Sequence, residues 1–294
     1  MSAITPAATV IVLRHTENVQ VLMTQRHANL SFMGGMWVFP GGALNPSDAS
    51  DAALDLVHEP ASFSCAQMCD LHGQPLPRRE CLALAIAACR ETFEECGLLL
   101  ARHADGTPCS ADLAIALQPE RATIIKHPAR FIELMNRERL RLDVASLLCW
   151  GHWITPSVVS RRFDTRFFVV AAPPQQSAST DSREATQCCW LSPAELLAAG
   201  ARGEMSLPHP TLCNLMELEA QLKVHGSIPG LLQGERQRLL PPILPKVLEI
   251  DGHRTVLMPW DHEYHTSAGA GTPPAIVFPE ELRTLQSRAV NARG

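Results

Sequence analysis

Lysine is nearly absent from this chain, occurring only at Lys126, Lys223 and Lys246 among 294 residues. Acidic residues outnumber basic ones by 30 to 25, and the net charge of −5 leaves no basic footprint for nucleic acid, so no nucleic-acid partner is expected. An anionic ligand would need local arginines or a metal ion to approach. No apolar run nears the ~20 residues that span a bilayer, and no membrane partner is expected either. Met1-Ser2-Ala3-Ile4-Thr5-Pro6 carries no basic segment, and Ala8 to Leu13 is too short for the apolar core of a secretory signal. A cytoplasmic protein is the expectation. Internal repeats and heptad arrays are missing. Disulfide patterning is missing too, although there are 10 cysteines. Cys81, Cys89, Cys149 and Cys213 sit in apolar or amphipathic segments, where a thiol acts as a small hydrophobe. Cys65-x3-Cys69-x2-His72, with Cys81 beyond it, falls short of the two ligand pairs of a zinc site and reads as ordinary thiols. Asp261, His262, Glu263 and His265 lie in a tail whose Ser267 to Pro274 stretch reads as flexible, and are not read as a metal site.

With 46% hydrophobic residues the chain can bury a substantial core, and it reads as one elaborated domain. Ala8 to Arg14 and Val19 to Gln25 form an antiparallel strand pair, followed by a short strand over 36–39 that ends at Pro40-Gly41-Gly42. Residues 45–78 read as irregular, an unusually long stretch to lack regular structure and therefore functional or mobile. A helix follows over 79–95, stopped by Gly97. Two or three helices punctuated by Pro119 and Pro128 cover 110–139, and strands are expected over 147–154, 165–171 and 187–191. Ser192 and Pro193 open a helix as N-cap and first residue, and another helix spans 211–224. Asp251-Gly252 between two β-prone runs signals a hairpin.

The segment richest in chemistry is Arg90-Glu91-Thr92-Phe93-Glu94-Glu95-Cys96-Gly97-Leu98. At 100° per residue, Leu82, Ile86, Cys89 and Phe93 make an apolar stripe, and Glu91, Glu94 and Glu95 point the other way. Three carboxylates at i, i+3 and i+4 repel one another, and they sit at the helix end where the dipole is already negative. A solvated acidic face is one reading. A hard divalent ion held by carboxylate oxygens is the other.

Phe39-Pro40-Gly41-Gly42 together with Arg90-Glu91-x-x-Glu94-Glu95-x-Gly97 resembles the two halves of the Nudix box, G-x5-E-x7-R-E-U-x-E-E-x-G-U. The second half matches at every specified position. The first is displaced: 47 residues separate Gly42 from Arg90 where the pattern has 13, an excess of 34 assigned to the 45–78 segment. Counting back from Arg90, Leu82 stands where the first glutamate belongs, and Glu80 is the nearest acid. Such a split box resembles the Nudix subgroup that includes the peroxisomal coenzyme A diphosphatases of animals. Leu22 to Arg26, Phe32-Met33-Gly34-Gly35, Trp153-Ile154-Thr155-Pro156, Arg162 to Phe168 and Trp190 to Glu195 are similar to that subgroup too. The likeness covers residues 8–225, and only Leu257 to Asp261 resembles the subgroup's tail beyond that.

The resemblance implies an α/β (α+β) fold, the Nudix α/β/α sandwich with a mixed central sheet, over 1–225, with 226–294 a C-terminal extension packed on the same domain. It implies hydrolysis of a nucleoside diphosphate derivative, coenzyme A or acyl-coenzyme A first, with ADP-ribose or NADH as the alternative and a ligand sensor without turnover as the third reading. Mg²⁺ or Mn²⁺ would be held by Glu91, Glu94 and Glu95, with Arg90 orienting them. The general base would be a box glutamate or Glu184. Arg26, Gly41, Gly42 and Arg166 would meet substrate, although Arg162 and Arg166 beside Asp164 also read as a structural ion pair. On the strand, one of His152 and Trp153 would face substrate, or both pack the core. The 45–78 insertion has two possible roles, a cap over the substrate or a contact in a homo-oligomer.

Overall fold

Alternation along the first strand, Ile4–His15 (β1), sorts its side chains onto two faces: Ala8, Val10 and Val12 enter one hydrophobic cluster, Ile11 and Leu13 the other. The computed structural model describes residues 4–31, 33–180, 185–250, 253–280 and 283. After β1 come Val19–Arg26 (β2), Trp37–Val38 (β3) and Gly41–Ala43 (β4). Further along are Ala101–His103 (β5), Leu140–Leu142 (β6), Leu148–Ile154 (β7), Arg162–Ala171 (β8) and Ala185–Leu191 (β9). Lys246–Ile250 (β10) and His253–Leu257 (β11) complete the strands. The helices are Asp51–Leu54 (α1), Arg78–Cys96 (α2), Ala111–Leu117 (α3), Arg121–Lys126 (α4) and Ala129–Arg137 (α5). Pro193–Ala201 (α6), His209–His225 (α7) and Ile228–Gly234 (α8) follow.

The main sheet is mixed. β8 runs parallel to β1 from Ile4↔Arg162 to Leu13↔Ala171, and β7 pairs antiparallel to β8. The other edge of β1 is shared, with β2 antiparallel near the turn and β4 antiparallel at Ala7, Ala8 and Thr9. β2 continues to β3 and β9. One face carries α2 with Phe131, Met135 and Ile124 of α5 and α4. The other carries Leu196 of α6, Leu215 and Leu218 of α7 and Leu231 of α8. This is the expected α/β/α sandwich. The Ser192 cap is present as a full capping box with Glu195, and β8 and β9 begin earlier than periodicity indicates.

Three expectations need correcting. Helix α2 is not amphipathic: every residue from Cys81 to Cys96 is buried, because the sheet, the 45–78 segment and α4 enclose it. The 45–78 segment is not a loose loop. It folds through a 3₁₀ turn at Pro46–Ala49 and the short helix α1, and it buries Ala53, Leu56, Phe63 and Met68 in the α2-side core. The 267–274 stretch is pinned as well: buried Thr272 donates its hydroxyl to the Pro242 carbonyl at 2.9 Å, and Lys246 Nζ donates to the Tyr264 and Ser267 carbonyls at 2.7 Å.

Beyond residue 225, Ile228, Leu231, Ile243, Met258 and Phe278 join the same cluster as β1 and β8. β10 and β11 pair antiparallel from Lys246↔Leu257 to Ile250↔His253. Three motif positions named from the sequence, Phe32, Glu184 and the Asp251-Gly252 hairpin tip, lie outside the described residues. Among the described residues, no helix is long and apolar enough to cross a membrane.

Candidate active site

The C-terminal turns of α2 and the short strand β4 together build the site. Gly97 ends the helix in the left-handed region at φ 68°, its N–H donating to the Phe93 carbonyl at 2.9 Å. A Cβ there would also collide with Gln118, whose side-chain amide donates to the Gly97 carbonyl at 2.9 Å. The preceding two turns present Glu91, Glu94 and Glu95 beside β4. Gly41 N–H donates to Glu95 Oε2 at 3.2 Å. Gly42 lies so close to Glu91 that a Cβ on it would stand 2.5 Å from Glu91 Oε1. Only glycine leaves room for that carboxylate.

Arg90 ties these groups together from a position 2% exposed. Nη1 donates at 2.8 Å to both Glu91 Oε1 and Glu94 Oε1. Nε and Nη2 donate to the two carboxylate oxygens of Asp48 at 2.9 and 2.8 Å, and Nη2 also reaches the Ala43 carbonyl at 3.0 Å. This is the bidentate fork that guanidinium makes with carboxylate. Burial alone would discourage the charge on Arg90, but Asp48, Glu91 and Glu94 outweigh it and hold the proton on. Burial pushes the Glu91 carboxyl up to about 7, with Glu94 adding to the rise and Arg90 opposing it.

Asp48 is the residue that sequence reading passed over. Counting back from Arg90 led to Leu82, which is a core residue, and to Glu80, which is exposed about 15 Å further along the helix. Counting forward from Gly42 across five intervening residues leads to Asp48, an acid at the spacing the box allots to its first carboxylate. Asp48 is fully buried and capped into place, its Oδ2 accepting from the Asn45 N–H at 2.8 Å. The extra chain therefore lies after Asp48 and not directly after Gly42.

These groups open into a cleft of about 530 Å³. Arg26, Gly41, Gly42, Arg90 and the three glutamates all line it. So do Trp153, Phe163, Arg161 and His209, none of them assigned to the site beforehand except Trp153 as one of two options. Arg161 sits over the Phe163 ring at 5.2 Å. Asn45 lines the cleft, whereas 46–78 do not, so among the described residues the insertion braces the helix from behind and does not cap the opening.

Arg166 is not in the cleft. Strand alternation points Phe163, Thr165 and Phe167 into it and sends Arg162, Asp164 and Arg166 to the opposite face. There Arg166, 2% exposed, pairs with Asp164 and donates to the Cys69 carbonyl, and Arg162 Nε donates to the Thr155 carbonyl at 3.0 Å. His152 lies on that face with Nε2 at 2.7 Å from Asp164 Oδ1. A carboxylate only accepts, so Nε2 carries the proton. Burial, reinforced by Arg166, pushes the imidazole pKa down to about 4 despite Asp164, so the ring is neutral. Its Nδ1 is buried and finds no hydrogen-bond partner among the described residues. The two singled-out acidic–thiol clusters are engaged locally: Cys69 Sγ donates to the Leu240 carbonyl, Cys81 Sγ to that of Leu76, and Asp261 Oδ2 accepts from Met258 N–H at 2.7 Å.

Comparison with known proteins agrees with this geometry. The sequence profile of the NUDT19 Nudix domain matches residues 2–218. The human protein "Acyl-coenzyme A diphosphatase NUDT19" is 31% identical over 279 residues, covering 84% of this chain and 73% of that protein. The Xenopus laevis protein of the same name is 28% identical over 232 residues, covering 69% of this chain and 60% of its own length. This chain thus spans only about three-fifths to three-quarters of the relatives it matches. The solved NUDIX hydrolase from Alicyclobacillus acidocaldarius superposes with a TM-score of 0.64 at 27% identity, over 82% of this chain and 98% of that one. A matched profile over most of the chain, a shared fold and an Arg90-centred carboxylate cluster agree: this chain belongs to the Nudix superfamily, in its NUDT19 family.

Proposed function

We propose that this protein hydrolyses a nucleoside diphosphate derivative in a divalent-metal-dependent reaction, with coenzyme A or acyl-coenzyme A as substrate and 3′-phospho-AMP and (acyl-)phosphopantetheine as products. The observation that carries the reading is Arg90 holding Glu91 and Glu94 at 2.8 Å each, with Glu95 on the Gly41 N–H, all on the wall of one cleft. The coenzyme A assignment is supported by the split box and by the relatives' names.

The residues suit Mg²⁺ or Mn²⁺. Asp48, Glu91 and Glu94 place three carboxyl groups around one guanidinium, Glu95 adds a fourth beside them on the Gly41 N–H, and without a cation burial keeps a proton on Glu91 up to about 7. Surplus negative charge and all-oxygen donors are what these hard cations take. Glu91, Glu94 and Glu95 would hold the metal, which when bound supplies charge neutralisation at phosphorus and activation of the attacking water. Asp48 and Arg90 fix the carboxylates in orientation, so that little reorganisation is needed on substrate binding. Gly41 and Gly42 let the diphosphate approach backbone and carboxylates together. Arg26, on the same cleft wall, offsets phosphate charge. A box glutamate or Glu184 takes the proton from water. Ala185, next to Glu184, pairs with Arg26, which keeps that segment a candidate.

Side-by-side kcat/KM values for coenzyme A, an acyl-coenzyme A, ADP-ribose and NADH test the substrate. The coenzyme A compounds should lead. A clear preference for ADP-ribose or NADH would overturn that assignment and leave the diphosphatase chemistry standing.

A further inference from the structure

The cleft has a second wall made by chain that lies outside the matched Nudix profile. Ile243 adds to the end of β7: Ile154 N–H donates to its carbonyl at 2.8 Å, and its own N–H donates to the His152 carbonyl at 2.9 Å. That bridge carries the β10–β11 hairpin to the mouth of the cleft, where Pro245, Val247 and Val256 line it. Val247 and Val256 are direct cross-strand partners, so their side chains share one face of the hairpin. Both are half-buried. Alternation turns the neighbouring Lys246 the other way, where its ammonium is held by the Tyr264 and Ser267 carbonyls at 2.7 Å. The hairpin is thus anchored with a pair of valines exposed to the cavity that also holds Glu91, Glu94 and Glu95.

We infer that the Val247–Val256 pair is a specificity wall that receives an extended apolar arm attached to the diphosphate, such as an acyl or alkyl chain on its pantetheine end. This rests on the diphosphatase reading above and names its apolar subsite. A nucleobase needs hydrogen-bond partners along its edge, and side chains of valine and proline offer none. A hydrocarbon arm needs only apolar area, which two β-branched side chains supply at small entropic cost. The polar side chains of the cleft, among them Arg26, Arg161, Thr155, His209, Thr211 and the carboxylates, come from other segments, and among the described residues Pro245, Val247 and Val256 are all that this hairpin wall contributes.

The test is calorimetric titration of the full-length protein with 4′-phosphopantetheine and with its S-dodecyl thioether, product-like probes that require no turnover. The wild-type protein should bind the dodecyl compound roughly tenfold or more tightly than the parent. In the near-isosteric Val247→Thr/Val256→Thr variant that ratio should collapse to about twofold. Val256→Thr alone, checked for an unchanged Tm, serves if the double variant does not fold. A ratio unchanged in a folded variant, or no gain from the chain in the wild type, overturns the inference. So does a variant that weakens 3′-phospho-AMP instead, since the nucleoside would then occupy the wall. Failure of the underlying reading shows separately, as wild-type protein that releases nothing from coenzyme A with Mg²⁺ or Mn²⁺.

Discussion

Asp48 and Arg90 are 42 positions apart in sequence and share two hydrogen bonds, at 2.9 and 2.8 Å, in a buried pair that sets the carboxylate cluster. The guanidinium faces Asp48 on one side and Glu91 and Glu94 on the other, so its orientation fixes theirs. The inserted chain leaves the helix attached to its acid partner and returns to it, which is how a split box keeps one working geometry.

Asp48→Ala leaves Arg90 buried with half of its partners gone. Breaking a buried pair from one side costs about 3 kcal/mol or more, and loss of a supporting contact to metal ligands costs roughly 10- to 100-fold in activity. Thermal unfolding and kcat/KM should both fall. Full activity in the variant would show that Asp48 is incidental.

Gly42→Ala isolates geometry from folding. The Gly42 backbone is not in the left-handed region, so alanine is tolerated, but its Cβ would stand 2.5 Å from Glu91 Oε1. Displacing that carboxylate by about 1 Å should lower kcat/KM by roughly 100-fold, with Tm little changed. Parallel activity and melting measurements separate the two effects.

The two arginines first assigned to substrate should part company. Arg26→Ala should raise KM for the diphosphate roughly tenfold, as expected for a lost charge-assisted contact of about 1.5 kcal/mol. Arg166→Met, which strips Asp164 of its buried partner, should lower Tm and leave KM alone. Reversed results would put Arg166 back in the cleft.

Much of this was legible in the sequence. The alternating strands, the Ser192 N-cap, the Gly97 stop and the Arg90–Leu98 half of the box all depend on neighbours within a few residues. What escaped depends on distant ones. Leu82 is the box position only if the insertion is placed before it, and nothing local shows that Asp48 closes back onto Arg90. The burial of α2 on the sides away from the sheet comes partly from a segment whose composition reads as loop but which packs Leu56, Phe63 and Met68 inward. Arg166 was half legible: an ion pair beside Asp164 was one of its two readings, but which face of β8 meets the cleft is decided by how that strand packs.

His152 makes stability acid-sensitive. It faces Asp164, Arg166 and Asp70 in a buried setting. Unfolded, the imidazole protonates near 6.5; folded, it does so only near about 4. Between those values the unfolded chain binds more protons, so stability is full above about 6.5 and declines as pH falls toward about 4, by roughly 3 kcal/mol in all. Denaturant unfolding at stepped pH should trace that decline, and a His152→Gln variant should flatten it. An unchanged slope in the variant would assign the acid sensitivity elsewhere.

The most direct test of the central claim is coenzyme A hydrolysis by the wild-type protein and by Glu94→Gln and Glu95→Gln variants across a Mg²⁺ and Mn²⁺ titration, with both products quantified. The wild type should release 3′-phospho-AMP and phosphopantetheine in equal amounts, saturating with metal, and the two folded variants should lose nearly all of that activity. Undiminished, metal-dependent turnover in those variants would contradict the assignment of Glu94 and Glu95 as metal ligands.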